Sequence, residues 1–146
     1  MKGKLATYGE GHGYSAAIPR GMGTFRPVES EPTAGGRNIA LIRGTMLELV
    51  RRSGRDLTAR QLTTLLSVYL EDEPHSVSSV ARLLNISRPG VTRILDRLVE
   101  ADLVSRAEDL SDRRRVLVKR TRAGTTFVRD LVQVADQVAG ELGRLS

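Results

Sequence analysis

Residues 77–99, VSSVARLLNISRPGVTRILDRLV, space their apolar side chains so that two short helices must meet at one tight corner. Ala81 is small enough for a close helix crossing. Four residues on, Asn85 stands at the inter-helix turn, where a left-handed backbone is needed and Asn tolerates it better than most residues. Leu84, Ile86, Val91, Ile94, Leu95 and Leu98 supply the contacts that hold the second helix on the first. Residues 105–124, SRAEDLSDRRRVLVKRTRAG, place a stretch rich in Asp, Ser and Arg between two short strand candidates. That pattern reads as a hairpin with a basic tip.

A helix-turn-helix followed at once by an arginine-tipped hairpin predicts a winged helix-turn-helix, mainly α with a small β-hairpin wing. Charge points the same way. The chain carries a net +6 with a pI near 10.5, which suits an anionic partner. Residues 82–122 hold eleven basic and six acidic side chains, so five of the six net charges sit on this stretch. A merely solvated face would mix its signs more evenly. Aromatic residues make up only 3%, too few for the stacking platforms that single-stranded nucleic acids need. Duplex DNA is the expected partner.

The flanks read differently. Residues 1–36 are rich in Gly, Pro and Ser without periodicity, and are expected to form a disordered arm. Gly9, Gly11 and Gly13 lack the preceding strand and following helix of a phosphate loop. A first helix is expected from Asn38 to Arg52, with Ile39, Ile42, Met46, Leu49 and Val50 on one side. The second begins with a capping box, Thr58 with Gln61, stapled by Leu57 and Leu62, and stops before Pro74. The third runs from Ser76 to Asn85. The fourth is capped by Ser87, tolerates Pro89 in its first turn and reaches about Ala101, with Val91, Ile94, Leu95, Leu98 and Val99 facing inward. Thr121 caps a last helix whose Phe127, Leu131, Val134, Val138, Leu142 and Leu145 recur every three or four residues, a seam expected to face a second copy of the chain. The domain is thus 37–146, with 37–56 and 121–146 as dimerisation helices and 57–120 as the DNA-binding lobe.

Other chemistry is poorly represented. No cysteine is present, which excludes disulfides, thiolate metal sites and thiol redox control. The two histidines, His12 in the arm and His75 before the third helix, are far apart in sequence, and His75 is expected at the surface. Neither a metal site nor a catalytic Ser/His/Asp set is evident, so no cofactor and no enzymatic activity are expected. No apolar run approaches the roughly 20 residues of a membrane span and no signal-peptide core follows Met1, so a cytoplasmic protein, on the nucleoid when DNA-bound, is expected.

Three segments together resemble the MarR (multiple-antibiotic-resistance regulator) family of bacterial transcription factors. They are LTARQLTTLLSVY, SVARLLNISRPGVTRILDRLVEADLVSR and DRRRVLVKRTRAG. The resemblance covers residues 38–146 and implies a homodimer whose two winged lobes meet successive major grooves of a pseudo-palindromic operator. It also implies a repressor released by a small aromatic or carboxylic acid ligand. The chain departs from the family pattern in four places. Asp102 stands where a Gly is usual, and Arg120 replaces a usual Leu, implying a loosened wing base. The usual final helix is not expected, and the N-terminal arm is long.

On this reading Ser87, Arg88, Pro89, Thr92 and Arg93 are the candidates for base edges and flanking phosphates, since Arg can hold guanine through two hydrogen bonds and Thr can meet a thymine methyl. Arg97, one turn on, would meet phosphate. The resemblance gives Arg114 a minor groove to enter and Asp112 the task of bracing neighbouring arginines. Arg113 and Arg115 are expected to alternate along a strand, one of them reaching phosphate. Two other functions remain open: a sequence-tolerant architectural DNA binder, and a winged-helix protein-interaction module.

Overall fold

The computed structural model describes residues 33–53 and 55–145. Their order is α1 (Ala34–Ser53), α2 (Ala59–Leu70), β1 (His75–Ser76), α3 (Val77–Leu84), α4 (Arg88–Glu100), β2 (Val104–Glu108), β3 (Val116–Arg120) and α5 (Arg122–Arg144). Two compact units result. One is residues 48–134; the other, among the described residues, is 33–47 with 135–145.

Within residues 48–134 the apolar spacing folds as expected. Leu65 and Val68 of α2, Val80 and Ala81 of α3, and Val91, Ile94, Leu95 and Leu98 of α4 form one buried cluster with Leu103, Val104, Val118 and Val128. Each fully buried aliphatic side chain stabilises the lobe by about 1.5–3 kcal/mol. The capping box of α2 is present in both directions, Gln61 N–H to Thr58 Oγ1 at 3.2 Å and Thr58 N–H to Gln61 Oε1 at 2.9 Å. Ser76 caps α3 in the same reciprocal way with Ser79, a pairing that the Ser-x-x-Ser spacing alone did not announce.

Two helices end alike. Asn85 takes φ 51°, while Asn85 N–H and Ile86 N–H return to the carbonyls of Arg82 and Ala81. Asp102 takes φ 57°, and Asp102 N–H and Leu103 N–H return to Val99 and Leu98. Both are Schellman motifs, whose left-handed residue is ordinarily Gly. Asp102 therefore keeps the turn at some backbone cost. Replacing Asp102 with Gly is expected to raise the stability of the lobe by about 0.5–1 kcal/mol, read as a higher thermal midpoint.

The sheet has three strands in the order β1-β3-β2, all antiparallel. Its short first strand brings a correction. His75 is not a surface residue but is 7% exposed and paired with Val118, and among the described residues its Nε2 has no hydrogen-bond partner. Pairing with Val118 of β3 is what carries His75 into the sheet.

Other boundaries shift as well. Helix α1 begins at Ala34 rather than Asn38, because Thr33 caps it: its Oγ1 accepts from Gly36 N–H at 3.0 Å. The expected arm otherwise lies outside the described residues, as do Gly9, Gly11, Gly13 and His12. Val99, expected inward, is 36% exposed. The seam on α5 divides. Phe127 and Val128 pack with the lobe core, and Leu131 and Val134 are buried within the single chain, whereas Leu145 is exposed. In the other unit, Gly44 lets α1 approach α5 closely; a Cβ there would stand 2.5 Å from Val138 Cγ1.

Candidate nucleic-acid interface

Helix α4 presents its polar side because its four buried residues occupy the other one. Ser87 caps it, accepting from Gly90 N–H at 3.3 Å, and Pro89 lies in the first turn. Ser87, Arg88, Pro89, Thr92, Arg93 and Arg97 are all exposed along this side. Their engagement differs. Arg88 reaches back to Ser78 Oγ at the start of α3, and Arg97 pairs with Glu100 at 3.0 Å. Arg93 makes no side-chain hydrogen bond or ion pair among the described residues.

The wing tip consists of two consecutive turns. Asp112 N–H bonds to Asp109 C=O at 3.2 Å, and Arg115 N–H to Asp112 C=O at 2.8 Å. The first turn exposes Leu110 and Ser111 at its corner, and the second exposes Arg113 and Arg114. Residues 113–115 thus lie on a turn, since β3 starts only at Val116, and the expected strand alternation of Arg113 and Arg115 does not occur. Asp112 bonds its Oδ1 to the Arg114 backbone N–H at 3.0 Å. The acid that touches an arginine side chain here is Asp109, 3.6 Å from Arg115. Asp109 also accepts from the hydroxyl and backbone N–H of Ser111, which, with help from Arg115, holds its carboxyl below the usual aspartate range. Arg113 and Arg114 keep their guanidinium groups without a partner among the described residues. Three unpartnered guanidinium groups therefore stand on α4 and at the wing tip.

The wing root is tied down. Arg120 is the residue that reverses an expectation: it does not loosen the base. Its Nε donates to Val68 C=O and its Nη2 to Glu71 C=O, both at 2.8 Å, and it lies over the Tyr69 ring at 5.8 Å. A guanidinium fork can satisfy two carbonyls at the end of α2 that a Leu would leave bare. Lys119 adds an ion pair to Glu73 at 3.2 Å, and its hydrogen bond draws the Glu73 carboxyl below its usual range. Tyr69 Oη donates to Leu103 C=O at 2.8 Å, has Thr121 C=O at 3.2 Å, and accepts from Thr121 N–H at 2.9 Å. Thr121 caps α5 as expected, its Oγ1 accepting from Gly124 N–H at 2.9 Å.

Sequence reasoning missed two arginines. Arg55 donates to Ala101 C=O at 2.7 Å, and Arg106 of β2 bonds to Asp96 and Thr92 of α4. Both pairs join residues distant in sequence, so no local spacing reveals them.

A helix-turn-helix supported by a three-stranded antiparallel sheet, with cations on its second helix and hairpin tip, defines a winged-helix protein. Residues 57–116, most of this lobe, match the model of the MarR family. Similar solved structures include a transcriptional regulator from Thermotoga maritima, 22% identical with a TM-score of 0.62 over 72% of this chain and 70% of that one. A mutant MarR from E. coli complexed with operator DNA is 25% identical, with a TM-score of 0.55 over 73% and 71%. CouR from Rhodococcus jostii, bound to p-coumaroyl-CoA, is 24% identical, with a TM-score of 0.55 over 71% of each chain. Among the described residues no helix is long and apolar enough to cross a membrane.

Proposed function

We propose that the protein is a MarR-family transcriptional regulator that binds double-stranded DNA sequence-specifically, as a homodimer on a pseudo-palindromic operator. The observation that carries the reading is the set of guanidinium groups of Arg93, Arg113 and Arg114, unpartnered among the described residues, on the two elements that a winged helix turns to DNA. Ser87, Arg88, Pro89 and Thr92 complete the base-reading end of α4. Arg97 and Arg115 reach phosphate, and Asp112 shapes the turn that carries Arg113 and Arg114. Dimerisation is supported by the apolar row that α1 leaves exposed, Ile39, Ile42 and Val50, and by Leu145 of α5. The E. coli structure with operator DNA and the CouR structure with p-coumaroyl-CoA support a DNA-binding regulator controlled by a small ligand, and the control proposed is repression released by a small aromatic or carboxylic acid.

Affinity for a selected operator and its single-base variants, at several salt concentrations, tests this reading. Arg93→Ala is expected to lose about tenfold at particular operator positions, within the discrimination of one side chain on a base edge. Arg114→Ala should weaken binding comparably yet alter preference mainly at A·T-rich flanks, where groove width is read. Arg97→Ala should weaken all sequences alike and flatten the salt dependence, by a slope of about 1 for each phosphate no longer neutralised. Equal, uniform losses from all three would favour an architectural DNA binder. Failure to be retained on DNA would favour a protein-interaction module.

A further inference from the structure

Arg106 stands apart from the free cations at the tip. From β2 it donates to the Asp96 carboxylate at 2.7 Å and to the Thr92 carbonyl at 3.2 Å. Both acceptors lie on α4, one helical turn apart, and they bracket Arg93. On its own strand Arg106 is paired across the ladder with Val118, which is 1% exposed and part of the core. One end of this side chain is therefore fixed to the sheet and the other to two points on the helix.

We propose that Arg106 and Asp96 form a clasp that sets the angle between the wing and α4, and so the spacing between Arg93 and the Arg113–Arg114 corner. The inference rests on the DNA-reading function proposed above and makes these two positioning residues. From Arg106, β2 runs two residues further, about 7 Å at about 3.3 Å per residue, and the double turn carries the tip beyond it. Over a lever of roughly 10–15 Å a tilt of ten degrees moves the tip by about 2–3 Å, more than a hydrogen bond tolerates. The clasp also neutralises Asp96, an acid on the same helix as Arg93 and Arg97, which would otherwise oppose phosphates. Arg106 and Asp96 side chains are 33% and 48% exposed, and a pair so exposed contributes little to stability, so variants should fold.

The test uses Arg106→Gln, Asp96→Asn and the double variant of the full chain, in two measurements. With the selected operator, each single variant is expected to lose about tenfold in affinity, and the double variant should lose no more than either. Preference at the A·T-rich flanks should blur while preference under α4 persists, and Arg106→Lys should recover part of the loss. Without DNA, spin labels on introduced cysteines at Val99 and Ser111 report the distance from α4 to the wing; the chain's lack of native cysteine makes these labels unique. That distribution should be narrow in the parent and broader in either variant. An unchanged distribution overturns the clasp whether or not the chain reads DNA. Additive losses, or a uniform, salt-dependent loss from Arg106→Gln that Asp96→Asn does not share, would make Arg106 a phosphate-binding residue instead. If the parent shows no operator preference but the distribution broadens, the clasp stands and the specific-regulator reading fails.

Discussion

Gly124→Ala is expected to destabilise the lobe by about 3 kcal/mol, at the upper end of what overpacking ordinarily costs. A Cβ at this position would lie 2.0 Å from Tyr69 Oη and 2.1 Å from the Leu103 carbonyl oxygen. Neither obstacle can yield cheaply. Leu103 is buried with 1% exposure, and its carbonyl accepts the Tyr69 hydroxyl. Moving Tyr69 would break that bond and the one from Thr121 N–H together. Gly140 on the same helix provides the contrast, since a Cβ there meets nothing within 4 Å. Gly140→Ala should gain up to about 1 kcal/mol from helix propensity alone. Urea unfolding of the two variants measures both; equal midpoints would show that the first turn of α5 shifts freely.

Arg120→Leu is expected to cost about 2 kcal/mol. Two charge-assisted bonds to Val68 C=O and Glu71 C=O disappear, as does the packing on the Tyr69 ring. Bonds involving a charged partner contribute about 1.5–3 kcal/mol each when shielded, and the solvent exposure of this site reduces that figure. Arg120→Lys should recover only part, because an ammonium cannot present two donors in the guanidinium fork. A Leu variant as stable as the parent, in the same unfolding assay, would show that water serves these carbonyls equally well.

The fold was legible wherever local chemistry decided it. Thr58, Gln61, Ser87 and Asn85 announce helix ends because a cap is a contact among residues three or four apart. The buried positions of α4 follow from helical spacing. What escaped depends on contacts across the chain. His75 enters the sheet only because β3 is there to pair with it, and nothing within a few residues of it says so. Arg120 stands at the end of a strand, and its two acceptors lie some fifty residues upstream. The Arg106 bonds to α4 are invisible for the same reason. At the candidate site, the sequence pattern singled out arginines on α4 and at the wing tip. It could not tell which were already engaged: among the described residues Arg88, Arg97 and Arg115 have partners while Arg93, Arg113 and Arg114 do not.

The Tyr69 hydroxyl touches the chain just before β2, at Leu103, and just after β3, at Thr121. Both ends of the hairpin are thereby closed on one oxygen atom of α2. Amide protons at the root should exchange with solvent only when the whole lobe unfolds, whereas those of the double turn, exposed and held by local bonds, should exchange through small openings. A ligand that acts on the tip alone would change only the fast class of amides. One that acts through α2 would change both. The exchange pattern thus locates the origin of a regulatory signal from the unliganded and liganded protein alone, without a structure of either complex.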